Sequence, residues 1–308
     1  MIGVIIGFAI IALIVFVGWV VARFGLIGEN GEPVLARLTF FVLTPALLLT
    51  VVAGADVEVL FTAFVPVSII AAVSSVVIAA VVAGAVWRRG VAATTLVALA
   101  SGSVNANNIG IPIALYVLGD ASLAAPILLI NLMLFTPIAL ALLDASATGT
   151  FSLRRVVLQP VTNPIIIATV LGLVLAITQP PIPDIFLEPF RVVGAAAVPI
   201  SLLVFGMSLH GARLLAAGTS HRDVWLVFVL KMILMPTIAW VFGALVFGLS
   251  GMSLFAVVVL AALPSALNVY VWALRYRQQT SVARDSVLLT TLAALPVMII
   301  IALVLSPR

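Results

Sequence analysis

The 308-residue chain contains no cysteine, a single lysine and only 8% charged residues. The absence of cysteine excludes disulfides, thiolate metal sites and cysteine nucleophiles. A soluble chain carries about 25% charged residues, so the scarcity of charge excludes an ordinary soluble domain. No carboxylate falls in the middle of any long apolar run. That weakens a built-in Asp/Glu proton relay and an acidic sodium site, while backbone carbonyls leave sodium open without favouring it. The chain has no phosphate-binding glycine loop, GxSxG, HExxH or triad pattern, so neither an enzyme nor a bound cofactor is expected. The net charge of +4 does not call for nucleic acid, because the basic residues are dispersed, mostly at the ends of apolar runs.

What is present is apolar surface: 65% of the residues are hydrophobic. A membrane-spanning helix needs roughly 20 such residues. Ten runs qualify as candidates: 2–22, 34–53, 63–86, 92–118, 121–143, 161–178, 189–209, 223–248, 252–274 and 284–305. Nothing basic precedes the first run, so it reads as a retained helix rather than a cleaved signal. The expected fold is an all-α polytopic membrane protein. The longest connection, 144–160, divides the chain into a first five-helix repeat (1–143) and a second (161–308).

Arginine sets the expected orientation. Arg23, Arg37, Arg88, Arg89, Arg154, Arg155, Arg213, Arg222, Arg275, Arg277 and Arg284 fall on one side of this topology, and Arg191 and Arg308 on the other. The positive-inside rule then puts the central linker in the cytoplasm and both termini outside. With five spans per half, the second half enters from the opposite face, which makes the halves inverted-topology repeats. Arg37 precedes Pro45 in the second span as Arg191 precedes Pro199 in the seventh. Those prolines read equally well as hinges or as simple kinks.

The stretch Ser101–Pro112, SGSVNANNIGIP, stands out within the fourth span. Bare backbone at membrane depth survives only where protein or a water-filled cavity covers it. Discontinuous helices of this kind form the midplane sites of secondary transporters. Asn105 and Asn108 are expected to line such a site, with Asn107 facing away, and Gly110 and Pro112 to restart the helix. The ninth span carries a partner break at Pro264, Ser265 and Asn268. Asn131 sits alone in an apolar helix and is expected to face inward. Interhelical packing also favours small and amide residues, so each of these positions has a purely structural alternative. Lys231 lies about nine residues, or roughly 13 Å, into the eighth span. At that depth it is a candidate to compensate a substrate's charge or replace a coupling cation. Snorkelling to the surface is its structural alternative. His210 and His221 flank one loop, where solvation is the ordinary expectation.

These motifs resemble the auxin efflux carrier family, which includes plant PIN-type auxin carriers and bacterial relatives proposed to move malonate and other organic acids. The resemblance rests on NANNIGIP (Asn105–Pro112) and on AALPSALN (Ala261–Asn268) followed by ALRY (Ala273–Tyr276). TPA at Thr44, GMSL at Gly206, KMILMP at Lys231 and TTLAALP at Thr290 add to it. It implies a fold similar to bile-acid/sodium symporters and sodium/proton antiporters, with spans four and nine crossing at unwound centres. Spans 1, 2, 6 and 7 would form a scaffold and the homodimer interface. Spans 3–5 and 8–10 would form a transport domain that moves like an elevator. The implied activity is potential-driven efflux of a small organic anion across the plasma (inner) membrane. Coupled symport or antiport is the alternative, and an anion channel a remote one. A proline precedes the crossover asparagine in PIN-type carriers; here that place is Val104. Asn131 matches a substrate-contacting asparagine of the fifth span.

Overall fold

The computed structural model describes residues 2–28, 30–54, 64–149, 154, 158, 161–181, 183–211 and 219–305. Arg155, Arg213, Arg308 and most of the 144–160 connection lie outside the described residues. The protein is all-helical, with 84% helix and no strand among the described residues. In chain order the helices are α1 (Ile2–Arg23), α2 (Gly31–Ala53), α3 (Val65–Val86), α4 (Val91–Gly102), α5 (106–116) and α6 (Ala121–Ala147). Then follow α7 (Pro164–Thr178), α8 (Asp184–Ser208), α9 (His221–Val246), α10 (Gly251–Ala261), α11 (Leu267–Tyr276) and α12 (Thr280–Leu305).

Six of these are long and apolar enough to cross a membrane: α2, α3, α6, α8, α9 and α12. Four shorter apolar helices lie at Ala9–Arg23, Val91–Gly102, Pro164–Thr178 and Gly251–Ala261. The apolar run expected as a fourth span holds α4 and α5, and the run expected as a ninth holds α10 and most of α11. The largest early starts relative to the apolar runs are at Asp184 and Thr280, because both helices open on polar residues.

Local chemistry sets the helix ends. Asn163 caps α7: its Oδ1 accepts from the Ile165 and Ile166 backbone N–H groups at 2.9 and 3.4 Å, and Pro164 occupies the first turn, where no donor is missed. α6 stops at Gly149, whose φ of 73° places it in the left-handed region.

The helices pack in two groups. α1 lies against the last turns of α8, and α2 against α7 and the first turns of α8. These contacts are backbone-close. A Cβ on Gly18 would strike the Leu203 carbonyl, and one on Gly206 the Val15 carbonyl. A Cβ on Gly172 would sit 2.8 Å from the Leu49 oxygen. Small residues at helix interfaces are how apolar helices approach closely when lipid offers no hydrophobic drive. The second group joins α3, α4, α6, α9, α10, α11 and α12. One end of this group holds ion pairs whose carboxylates are buried and whose arginines are partly exposed. Arg89 Nη2 donates to Asp223 Oδ2 at 3.0 Å and to the Ser220 hydroxyl at 2.9 Å. Arg284 Nε donates to Asp285 Oδ1 at 2.8 Å, and the Thr219 hydroxyl donates to Asp285 Oδ2.

Candidate functional site

The site begins where α4 stops. Ser101 and Ser103 bond back to the Val97 and Leu99 carbonyls at 2.9 and 2.6 Å, which satisfies the last turn from within. Ser103 is extended (φ −78°, ψ 142°) and Asn105 adopts φ −76°, ψ 63°. The latter is an inverse γ-turn, closed by Ala106 N–H donating to the Val104 carbonyl at 2.8 Å.

The exposed backbone this creates finds three partners. Val104 forms an isolated antiparallel bridge with Ser265, between α10 and α11. Its two bonds are Asn105 N–H to the Pro264 carbonyl (2.8 Å) and Ala266 N–H to the Ser103 carbonyl (3.3 Å). The Asn131 side chain acts as a third strand: its Oδ1 accepts from Val104 N–H at 3.3 Å and its Nδ2 donates to the Val104 carbonyl at 3.1 Å. Ser265 then ties the pair to its surroundings. Its hydroxyl donates to the Ala100 carbonyl at 2.6 Å, and its N–H donates to the Thr290 hydroxyl at 3.1 Å. Buried backbone polar groups require partners, and here side chains replace the missing helix.

A cavity of about 210 Å³ lies against this bridge. Ser103–Asn108 and Ala266–Asn268 form one side, and Asn131, Phe135 and Thr136 of α6 another. Ala36, Thr39 and Phe40 of α2 and Ser201 of α8 close it, with Trp272 alongside. None of the lining side chains is charged. Three polar atoms on the lining are buried without a hydrogen-bond partner: Asn105 Nδ2, Thr39 Oγ1 and Asn107 Oδ1. The Asn107 amide is joined to Asn108 Oδ1 at 3.0 Å; inverting that pair exchanges the free acceptor for a free donor. Asn105 Oδ1 meanwhile accepts from Asn108 N–H at 3.3 Å, capping α5. The start of α11 has no side-chain cap, and its Leu267 and Asn268 line the cavity. Uncapped helix starts carry free N–H groups and partial positive charge, which suit an anion.

The structure therefore brings Asn105, Asn108, Asn131, Asn268 and Val104 together at the cavity. Asn107 belongs with them, contrary to the expectation that it faces away. Residues 106–110 form a π-turn rather than α-helix, so α-helical spacing misjudges its direction. Pro264 and Ser265 are buried behind the bridge and do not line the cavity, because the bridge uses their backbone and turns their side chains into the core. Gly110 and Pro112 sit in α5 outside the lining; a Cβ on Gly110 would stand 3.0 Å from Leu263 Cδ1, which explains the glycine. Lys231 is fully buried in α9 and is also outside the lining. Its Nζ meets Met235 Sδ at 3.0 Å. It neither snorkels to the surface nor reaches the cavity. Thr39 was not anticipated: a threonine in an apolar run normally bonds its own preceding turn, as Thr50 does to Ala46 and Leu47.

A family described as membrane transport protein matches residues 146–302, just over half of the chain. The chain belongs to this family. Its domain is that of the auxin efflux carriers. No curated protein matches the chain. The matched range holds Pro264–Asn268 and Lys231, whereas Asn105 and Asn131 lie before it. The protein is thus a multi-pass membrane protein of a transport family rather than of an enzyme family.

Proposed function

We propose that the chain is a secondary carrier for small organic anions, with its substrate site in the Asn105 cavity. The observation that carries this reading is a set of donors without partners in an uncharged cavity: Asn105 Nδ2, the Thr39 hydroxyl and the uncapped start of α11. A carboxylate satisfies such donors without a fixed counter-charge that would hold it too tightly to release. The apolar remainder, with Phe40, Phe135 and Trp272, accepts the carbon skeleton.

The same reading takes the fold as ten spans in two inverted repeats, α4/α5 and α10/α11 being the broken pair. Matching turns support it. Trp87 N–H bonds the Val82 carbonyl and Arg89 N–H the Ala83 carbonyl; Phe247 N–H bonds the Phe242 carbonyl and Leu249 N–H the Gly243 carbonyl. Arg88 and Gly248, at the corresponding place in each turn, both have positive φ. The glycine-packed group α1, α2, α7 and α8 serves as scaffold and homodimer surface. The other group carries the substrate across as an elevator. With the arginine-rich side in the cytoplasm of a plasma membrane, an inside-negative potential favours anion efflux by about 2.3 kcal/mol per charge per 100 mV.

Counterflow in proteoliposomes tests the carrier. Vesicles loaded with unlabelled malonate or indole-3-acetate are expected to accumulate the labelled compound transiently, with saturation and with no need for sodium. Unsaturable flux without counterflow contradicts the carrier in favour of a channel, and flux that requires a sodium gradient contradicts uniport.

A further inference from the structure

A second cavity, of about 580 Å³, opens between α3, α4 and α6. Val76, Ala80, Leu134 and Ile138 give it aliphatic walls, and Ile138 is exposed on its rim. One charged side chain lines it, Arg89. The Nη2 of Arg89 is engaged by Ser220 and Asp223, but its Nε is buried without a partner. Arg88 and Arg222 are the sequence neighbours of Arg89 and Asp223, and Arg284 pairs with Asp285, so this end carries four arginines and two aspartates among these residues. α4 also begins here, at Gly90, without a side-chain cap. A third cavity, of about 370 Å³ between α9, α10 and α12, offers a comparison: Met232, Pro236, Trp240 and Val258 line it, and no charged residue does.

We propose that the α3–α4–α6 groove binds an anionic phospholipid, one acyl chain along Val76, Ala80, Leu134 and Ile138 and the phosphate against Arg89. The apolar length calls for a hydrocarbon chain, and the net positive end calls for an anionic head. A soluble anion satisfies only the second demand. The charge-free third groove lacks the second, so selectivity for anionic lipid belongs to the first groove alone. Phe135 gives the site a consequence. It lines both this groove and the Asn105 cavity and is itself buried. An acyl chain in the groove therefore backs the wall of the substrate cavity.

Native mass spectrometry of the full-length protein in detergent tests this without any transport measurement. The probes are phosphatidylglycerol and phosphatidylcholine with identical chains. The wild type is expected to retain the glycerol lipid at least tenfold better. Arg89→Gln removes the cation but leaves Asp223 buried and unpaired, which threatens folding. Ala80→Phe fills the half-exposed groove and keeps the ion pair intact; it is expected to lower retention of phosphatidylglycerol at least fivefold. Equal retention of the two lipids by the wild type, or undiminished phosphatidylglycerol on Ala80→Phe, overturns the proposal.

Discussion

At Lys231, stability and transport can be tested separately. Its amine is fully buried; among the described residues its one hydrogen-bond partner is the Met235 sulfur and no carboxylate lies within ion-pair distance. A buried charge without an ion-pair partner costs stability, and replacing such groups by apolar ones of similar size is often neutral or stabilising. Lys231→Met therefore keeps or raises the melting temperature in detergent, and because Lys231 sits in the group carrying the bridge, it slows flux. A lower melting temperature with unchanged flux contradicts a functional role. Residue-scale reading of the sequence singled out Asn105, Asn108, Asn131 and Asn268, which line the cavity, because amides inside apolar runs are conspicuous. It missed Thr39, whose unbonded hydroxyl depends on where α2 meets the bridge. It set Lys231 inside a helix but could not tell the cavity from the protein core.

Among elements, the paired breaks are the most legible and the most dependent on partners. Gly, Pro, Ser and Asn inside apolar runs announce that α4 and α10 end early. Which side chains then turn inward follows from the Val104–Ser265 bridge, a contact between distant parts of the chain that spacing alone cannot give. Asn131 supplies two of the bonds that hold it. Replacing Asn131 by Leu strands the Val104 N–H and takes one of two donors from the Val104 carbonyl, which keeps the Ala106 N–H. The expected loss of stability is about 1–3 kcal/mol, since one unpaired buried group costs about 1–3 and bonds within membrane bundles average about 0.6. Thermal unfolding followed by circular dichroism measures it; a variant as stable as the wild type removes Asn131 from the support of the bridge. The π-turn at 106–110 is an element that apolar periodicity hides entirely, and it is what brings Asn107 to the cavity.

At the scale of the whole molecule, low charge and long apolar runs made the all-helical membrane class plain from the sequence. The division into a glycine-packed group and a group carrying the bridge was not plain, because it depends on contacts such as Gly206 against Val15 and Gly18 against Leu203. The cavity lies between the two groups, lined by Thr39 and Ser201 from one and by Asn105, Asn131 and Asn268 from the other. In the carrier proposed above, relative movement of the groups exposes the same site to either face. The most direct measurement is uptake of radiolabelled indole-3-acetate and malonate into proteoliposomes under an imposed potential, comparing wild type with Asn105→Ala and Asn105→Asp. The aspartate keeps the oxygen that caps α5 but replaces the free Nδ2 donor by an acceptor and adds negative charge. The account predicts saturable wild-type uptake that follows the potential, and loss of at least tenfold in both variants with the melting temperature of Asn105→Asp near that of the wild type. Wild-type uptake by Asn105→Asp would contradict a substrate anion bound at this cavity.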